Sequence, residues 1–284
     1  MGPSNERPPD NGPHPNPPLK GRGISPARID RTRRRMTRRA VTDLPPPPLD
    51  LLQDAALFLD FDGTLVDLAP TPDGAIVDTA LAALMLRLAA RLDGRVAIVS
   101  GRSVESVRTL FGDAGFAISG SHGLEIAWPD GRHEQVERPA ALDRIVTRMK
   151  AFATAQTGVL VEEKPLGAAL HYRTVPEAET ASHDLARALA NDAGLHLQTG
   201  KMMVEVRVPG ADKGTAIAAM MTQAELAGRT PVFLGDDDTD EPAMVVVAAR
   251  QGAGILVGAP RLTAATYRLP SVAATRAWLM EASA

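Results

Sequence analysis

The segment LFLDFDGTLVDL, residues 57–68, decides how this chain folds. Its first half is apolar without polar alternation, which is typical of a strand buried on both faces of a parallel sheet. The strand ends on Asp60, a second aspartate follows at Asp62, and Gly63 and Thr64 then turn the chain. Two acids this close together form either a solvated strand end or a metal site that carries out chemistry. The other motifs of the chain bear on that choice.

Short apolar segments alternate with longer amphipathic segments from Leu51 onward. RVAIVS, FAISG, PVFLGD and AGILVG are compact apolar stretches that contain or end in Gly, Ser or Asp. The stretches TALAALMLRLAARLDG, SVESVRTLFG and GTAIAAMMTQAELAG carry apolar residues three or four positions apart and end in glycine, which predicts helices. Strands separated by helices predict a parallel sheet covered on both faces. The fold class we predict is therefore α/β.

The middle of the chain has a different pattern. Between residues 121 and 207 the strands alternate more clearly, as in GAALHYRTV and KMMVEVRV, and two helical segments accompany them. We therefore predict a smaller α/β cap domain, residues 121–207, inserted into a Rossmann-like parallel-sheet core made of residues 49–120 and 208–284. An inserted domain of this kind is expected to act as a lid.

Composition limits the classes of protein to consider. The chain has no cysteine, which excludes disulfides and thiolate metal sites and favours a cytoplasmic location. No apolar run approaches the roughly 20 residues of a membrane helix. Residues 51–284 carry 21 basic against 29 acidic side chains, and an acidic body repels nucleic-acid phosphates. We expect no membrane and no nucleic-acid partner, and the sequence indicates no obligate protein partner.

The N-terminal segment, residues 1–48, is predicted to be a disordered tail. It contains 12 of the 23 prolines and almost no aromatic residues, so it cannot bury enough surface to form a core. Residues 1–50 are basic, with 10 Lys and Arg against 5 Asp and Glu. A solvated linker is the simplest interpretation, and contact with an anionic partner remains open. Translation from Met1 and translation from Met36 are both compatible with the sequence.

Four polar clusters lie where predicted strands end or where the following helices begin. Asp60 and Asp62 close the first strand, SGR at residues 100–102 closes the second, Lys213 opens a helix, and GDDDTDE at residues 235–241 closes PVFL. Ligands of an open parallel sheet bind beyond the carboxyl ends of its strands. Each cluster alone has a structural explanation, such as an aspartate capping a turn or acids at a helix start. Together they predict one site.

The residue types of these clusters suit phosphoryl transfer. Carboxylate oxygens are ligands that Mg²⁺ prefers, and a carboxylate can attack phosphorus to form an aspartyl-phosphate. A lysine, a serine hydroxyl and helix-start N–H groups neutralise the charge on the transferred group. The sequence has neither a Walker loop nor a kinase glycine loop, so a nucleotide donor is not indicated.

In combination, DFDGTL, SGR, the lysine before glycine and GDDDTDE resemble the four motifs of the haloacid dehalogenase superfamily of phosphatases. Within that superfamily, GSHGLE, VEEKPLGAALHYR, GKMMVEVR and PVFLGDDDTDE resemble the trehalose-6-phosphate phosphatases. The resemblance runs from Leu57 to the C-terminus. It implies Mg²⁺-dependent hydrolysis of a small sugar phosphate, trehalose 6-phosphate, to trehalose and phosphate. No counterpart of the synthase domain of some relatives is found, so hydrolysis rather than synthesis is expected.

The resemblance also implies catalytic roles. Asp60 would be the nucleophile and a magnesium ligand. Asp62 would be the general acid and base, with its main-chain carbonyl on the metal. Ser100, Gly101 and Lys213 would hold the transferred phosphoryl group.

Metal and sugar ligands follow from the same resemblance. Asp236 would bind Mg²⁺ directly, with Asp237 and Asp240 as supports, although the sequence does not settle which of the three acids is the ligand. The residues expected to contact the sugar are Lys164, His171, Arg173, Lys201 and Glu205 in the predicted cap, with His122 and Glu125 at its hinge.

Other interpretations remain open. His171 would also fit an interior position, and Arg173 and Lys201 would also fit ordinary surface charges. The same chemistry would serve another substrate, such as sucrose phosphate or glucosyl-glycerate phosphate. A sugar-phosphate sensor without catalysis would use the same fold.

Overall fold

A computed structural model describes residue 2 and residues 43–284, apart from positions 70, 72, 73, 113 and 114. The strands are β1 Ala55–Leu59, β2 Val96–Val99, β3 Ala117–Gly120, β4 Glu125–Ala127, β5 His133–Gln135, β6 Leu160–Lys164, β7 Gly167–His171, β8 His196–Gly200, β9 Met203–Arg207, β10 Thr230–Gly235, β11 Ala253–Val257 and β12 Tyr267–Leu269. The helices are α1 Thr79–Arg91, α2 Val104–Phe111, α3 Ala141–Ala155, α4 Glu179–Ala193, α5 Lys213–Met220, α6 Glu241–Ala249 and α7 Val272–Ala282. Among the described residues, no helix combines the length and the hydrophobicity that a membrane span requires.

The larger sheet has eight strands in the order β12-β11-β10-β1-β2-β3-β4-β5. Strands β12 to β3 in this order are parallel to one another, and β4 and β5 add antiparallel strands at one edge. Strand β1 lies in the middle, and all five of its residues are buried. A strand buried on both faces needs continuous apolar sequence, which is what residues 55–59 have. The predicted α/β fold with a parallel sheet is confirmed.

Two apolar cores form, one on each face of the larger sheet. Ala55, Leu57 and Leu59 share a core with α1, α2 and α7, whereas Ala56 and Phe58 share a core with α5 and α6. Alternate residues of a strand point to opposite faces, so β1 contributes to both cores. The helix layers leave the carboxyl ends of the parallel strands available for a site.

The smaller sheet has four antiparallel strands in the order β6-β7-β9-β8. One face packs on α3 and α4 around Leu170, Val204 and Val206. The opposite face, called the polar face below, carries seven charged or polar side chains at alternating strand positions: Glu162, Lys164, His171, His196, Gln198, Glu205 and Arg207. The period of two explains how five-residue strands bury one row of side chains and present the other.

Two stretches differ from the sequence expectation. Strands β4 and β5 fall within residues 121–207 but belong to the larger sheet, so the smaller sheet and its helices occupy only residues 141–207. The division into core and inserted cap stays a prediction. Helix α5 ends at Met220, earlier than GTAIAAMMTQAELAG suggests, because residues 222–229 bond mainly three residues back, as in turns.

The predicted disordered tail, residues 1–48, lies mostly outside the described residues. Within its last six positions, Leu44 is buried in the core beside α5 and α6, and the N–H of Arg268 donates to the Pro45 carbonyl at 3.0 Å. The Arg268 guanidinium also donates to Asp43. Packing therefore begins before the boundary predicted at Pro48.

Helix α1 offers a matched test of the core that covers β1. Leu88 is fully buried, whereas Leu86 on the same helix is 57% exposed. We expect Leu88→Ala to lower the free energy of unfolding by about 2–5 kcal/mol, since it leaves a cavity in a packed core. Urea denaturation monitored by circular dichroism measures this change.

Leu86→Ala is the control for the loss of a leucine from a helix surface. It is expected to change the free energy of unfolding by less than about 0.5 kcal/mol. Equal destabilisation by the two variants would contradict the placement of α1 on the sheet.

Candidate active site

Asp60 lies immediately beyond the carboxyl end of β1, between the ends of β10 and β2. The chain continues from β1 to β2 and β3 on one side, while β10, β11 and β12 lie on the other. Adjacent strands of an open α/β sheet that diverge in this way leave a crevice in which ligands bind. Asp60 donates its N–H to the Leu234 carbonyl at 2.9 Å and is only 4% exposed. The backbone of the larger sheet therefore fixes the position of this aspartate.

Two side chains hold the Asp60 carboxylate. The Nζ of Lys213 donates to Oδ1 at 2.6 Å, and the hydroxyl of Thr64 donates to Oδ2 at 3.2 Å. Lys213 begins α5, where Asp212 caps the helix by accepting the Thr215 N–H at 2.7 Å. The lysine is therefore held by a helix start with a fixed geometry.

Lys213 also joins Asp60 to a second buried acid. Its Nζ donates to Asp240 Oδ1 at 2.6 Å, and Asp240 Oδ2 accepts the N–H of Asp237 at 2.9 Å. Burial lowers the pKa of Lys213, but the charges of Asp240 and Asp60 outweigh burial and hold the net pKa above its usual range. Lys213 is therefore a permanent cation between two carboxyl groups.

The site has more negative charge than its buried lysine can offset. Burial raises the pKa of Asp60. The negative charges of Asp240 and Asp236 raise this pKa further, whereas the positive charge of Lys213 opposes the rise. Burial and the nearby Asp240 raise the pKa of Asp236 to about 6. Carboxylates crowded in this way indicate the place for an additional cation.

Oxygen atoms of Asp60, Asp236 and Asp240 all lie within 4.8 Å of one another, a group that fits a divalent metal ion. Gly63 permits the approach, because a Cβ built on it would lie 2.3 Å from Asp236 Oδ2. Both oxygens of Asp240 already accept hydrogen bonds, from Lys213 and from the Asp237 backbone. Both oxygens of Asp60 likewise accept hydrogen bonds, from Lys213 and Thr64, whereas among the described residues only Lys201 donates to the Asp236 carboxylate, at Oδ2. Asp236 therefore has the most free acceptor capacity for a metal.

Asp62 lies at the edge of the same site and pairs with Arg102. The Nε of Arg102 donates to Asp62 Oδ2 at 2.7 Å, and its second nitrogen donates to Oδ1 at 2.9 Å. The Asp62 side chain stays 28% exposed, in contrast to the buried Asp60. The two aspartates of the DFD motif thus have different environments.

The segment after β2 supplies a tight loop beside Asp60. Ser100 is buried, and its hydroxyl accepts the N–H of Arg102 at 3.1 Å. A Cβ at Gly101 would lie 2.6 Å from His122 Nε2, so only glycine allows this contact. His122 itself has φ of 56° and donates its N–H to the Ser100 carbonyl at 3.0 Å. A non-glycine residue in this region is strained, and such strain concentrates at functional sites.

The polar face contributes a buried charge network. Lys164 donates to Glu205 Oε2 at 2.8 Å, and a nitrogen of His171 lies 2.8 Å from Glu162 Oε2. Burial raises the pKa of Glu205, but Lys164 and His122 outweigh burial and keep the net pKa well below its usual value. Burial lowers the pKa of His122. The polar face therefore presents ionised carboxylates next to a lysine and histidines that can donate hydrogen bonds.

Three cations of the middle segment, called the cap cations below, reach atoms of the larger-sheet region. Lys164 donates to the Gly101 carbonyl at 3.2 Å. Arg173 donates to the Ala69 carbonyl at 2.9 Å, and Lys201 lies 3.3 Å from Asp236 Oδ2. These contacts bring the polar face over the carboxyl ends of the parallel strands.

The resulting cleft encloses about 940 Å³ of empty space, counting its open mouth. It brings together most of the predicted site residues, namely Asp60, Asp62, Ser100, Gly101, His122, Lys164, His171, Arg173, Lys201, Lys213, Asp236 and Asp237. Asp240 and Glu205 lie behind this lining and hold Lys213 and Lys164.

Glu125 does not line the cleft. It accepts hydrogen bonds from the Ser121 hydroxyl at 2.6 Å and from the Val104 N–H at 3.1 Å. Its carboxylate therefore holds the start of α2 and the turn that carries His122. Sugar contact by Glu125 stays a prediction, and in this structure its carboxylate faces α2 instead of the cleft.

Several cleft residues were not predicted. Arg102, Glu162 and Gln198 line the cleft, although the motifs SGR and VEEKPLG predict no role for the first two. Thr64, which the sequence places only in a turn, binds Asp60 from behind the lining. Alternation along β6 places Glu162 on the same face as Lys164, which is a signal that the sequence contains. No sequence signal pairs Arg102 with Asp62, 40 positions away.

Comparisons with known proteins agree with this arrangement. The trehalose-phosphatase family matches residues 58–273. A probable trehalose-phosphate phosphatase of Sinorhizobium fredii (strain NBRC 101917 / NGR234) is 39% identical over 228 residues, which cover 79% of this chain and 86% of that protein. The trehalose-6-phosphate phosphatase of Escherichia coli (strain K12) is also 39% identical, over 79% of this chain and 85% of its own.

A solved structure agrees at the level of the fold. It is described as a trehalose-6-phosphate phosphatase related protein, is 28% identical, and superposes with a TM-score of 0.64 over 79% of this chain and 95% of its own. The family match begins inside β1, at residue 58, and contains the residues of the cleft and all the other strands of both sheets. The chain belongs to the trehalose-phosphatase family.

Proposed function

We propose that this protein is a Mg²⁺-dependent phosphatase that hydrolyses trehalose 6-phosphate to trehalose and phosphate. The observation that carries the proposal is the meeting of Asp60, Ser100, Lys213 and Asp236, from four separate segments, in one cleft. The names of the relatives supply the substrate. A cytoplasmic location stays a prediction based on the absence of cysteine.

Asp60 performs the first half of the reaction. One carboxylate oxygen attacks phosphorus, the Asp60–phosphorus bond forms, and the bond from phosphorus to the sugar oxygen breaks. Asp62 gives its proton to the departing sugar oxygen, so the sugar leaves as a neutral alcohol. Lys213 and Ser100 line the cleft and would neutralise and orient the phosphoryl oxygens.

Water completes the reaction. Asp62, now ionised, takes a proton from the water that attacks phosphorus, and the bond to Asp60 breaks to release inorganic phosphate. Asp62 is suited to both steps because it is part-exposed at the cleft, whereas Asp60 is buried.

Asp60 and Asp236 would hold the metal, with the main-chain carbonyl of Asp62 as a third ligand. The closeness of their carboxylate oxygens and the free oxygen of Asp236 support this assignment. Asp237 and Asp240 are supports through their bonds to each other and to Lys213. A bound Mg²⁺ supplies positive charge to the phosphoryl oxygens and to the crowded carboxylates.

The polar face would recognise the sugar. Hydroxyl groups both donate and accept, and Glu162 and Glu205 beside Lys164 and His171 offer both kinds of partner. The cap cations would hold this face over the reacting atoms and exclude bulk water.

A panel of phosphorylated sugars tests the substrate. We expect the highest kcat/KM for trehalose 6-phosphate, at least about tenfold above sucrose phosphate and glucosyl-glycerate phosphate, because the fixed polar face selects the hydroxyl pattern. Phosphate release in the presence of Mg²⁺ measures this. Preference for another sugar phosphate would move the function to that substrate, and tight binding of trehalose 6-phosphate without turnover of any ester would indicate a sensor.

Removal of the nucleophile tests the mechanism. Asp60→Asn should lower kcat on the order of 10⁴-fold or more, because an amide cannot form the covalent intermediate. Asp54→Asn is the control, since Asp54 lies next to the opposite end of β1 and pairs with Arg229 on the surface. Steady-state kinetics should show wild-type kcat for this control, and an active Asp60→Asn enzyme would disprove the assignment.

Metal binding has a readout independent of catalysis. At Mg²⁺ concentrations 100-fold above Kd the native state should gain about 2.7 kcal/mol, which raises the melting temperature. Asp236→Asn should largely remove this rise, because it replaces a charged ligand with a neutral amide. Asp238→Asn, which alters an exposed carboxylate two positions away, should keep it. Calorimetric melting with and without Mg²⁺ compares the three proteins, and an equal rise in all of them would exclude Asp236 as a ligand.

A further inference from the structure

We infer that Arg102 is a positioning residue that sets the direction of the Asp62 carboxyl group. This inference rests on the proposed function, in which Asp62 transfers protons in both halves of the reaction. Arg102 occupies the last position of the SGR motif and lines the cleft. The catalytic steps proposed above give Arg102 no role.

The geometry of the pair is the first argument. Nε and one terminal nitrogen of Arg102 donate to the two different oxygens of Asp62, at 2.7 and 2.9 Å. A planar guanidinium that binds both oxygens of a carboxylate fixes its plane as well as its position. Among the described residues, no other side chain forms a hydrogen bond with the Asp62 carboxylate. Arg102 thus determines where this carboxylate points.

The second argument is that Arg102 is itself held in place. Its N–H donates to the Ser100 hydroxyl at 3.1 Å, and its carbonyl accepts the Ser121 N–H at 2.7 Å. Its guanidinium carbon lies 5.5 Å from the ring centroid of the fully buried Phe61. That ring packs edge-on against Phe111 at 5.7 Å. A side chain anchored at both ends can orient its partner.

A third observation links the pair to the phosphate pocket. Arg102 and Ser100 belong to the same tripeptide, and Phe61 lies between Asp60 and Asp62. Any displacement of the tripeptide therefore moves the phosphate-binding serine and the proton-transfer residue together. Misplacement of a reacting group by about 1 Å can cost on the order of 100-fold in rate.

Arg102→Met removes the guanidinium group that donates to both Asp62 oxygens, while keeping an unbranched side chain of similar reach. We expect kcat to fall about 10- to 100-fold with KM changed less than about twofold, because the proton-transfer group loses its direction while substrate contacts remain. Arg102→Lys keeps the charge but cannot donate to both oxygens from a rigid plane. It should recover at most a small part of the lost kcat.

The decisive measurement is a double-mutant cycle with Asp62→Asn. In that background Arg102→Met should change kcat less than about twofold, since the group that Arg102 positions is gone. Arg132→Met is the matched control, because Arg132 also pairs with an aspartate and lies 4.9 Å from an aromatic ring, that of Trp128, outside the cleft. It should keep wild-type kcat. Melting temperatures of all variants establish that each one is folded.

Three results for the Arg102 variants would overturn the inference. A raised KM with unchanged kcat would make Arg102 a substrate ligand. A full loss repeated in the Asp62→Asn background would show that it acts independently of Asp62, and full recovery by Arg102→Lys would show that charge alone matters. A wild-type enzyme inactive on trehalose 6-phosphate contradicts the proposed substrate instead, and the same cycle then applies to the phosphate ester that it hydrolyses. Inactivity on every ester would end both proposals.

Discussion

The ion triplet of Asp60, Lys213 and Asp240 is the interaction on which the rest of the site depends. Lys213 Nζ lies 2.6 Å from both acids, and all three side chains are buried. Each comes from a different element, since Asp60 follows β1, Lys213 begins α5 and Asp240 precedes α6. Removing one partner of a buried ion pair typically costs about 3–5 kcal/mol, because the other charge stays buried without compensation. The triplet therefore joins these three elements and fixes the position of Asp60, the proposed nucleophile.

Charge excess around this triplet explains the rest of the arrangement. Asp236 adds a further carboxylate at the end of β10, and the carboxyl oxygens crowd within a few ångströms of one another. Such crowding is tolerable only if cations approach. Lys201, one of the cap cations, donates to Asp236, and the proposed Mg²⁺ would bind the same carboxylate. The metal site and the contact between the cap cations and the larger-sheet region therefore share one side chain.

The fold and the grouping of four site residues could be predicted from the sequence, because both follow from local patterns and from the topology of a parallel sheet. The continuous apolar run of β1, the alternation of β7 and β9 and the helical spacing between strands predicted the α/β fold. The rule that parallel strands end at one edge then predicted that Asp60, Ser100, Lys213 and Asp236 would meet. The motif that contains Glu125 did not indicate that this carboxylate holds the start of α2. A motif records the residue type at a position but not the direction of its side chain.

The hydrophobic periodicity and the order of the motifs along the chain were thus enough to predict the strands, the acidic and basic residues at their carboxyl ends, and membership of a phosphatase family. Only the tertiary structure shows which side chains pair with each other. Arg102 and Asp62 are 40 positions apart, and Lys213 and Asp60 are 153 apart. Distances of this kind depend on how strands order themselves in a sheet and on which face a residue occupies. Those properties arise from packing of the whole core, so no local stretch of sequence contains them.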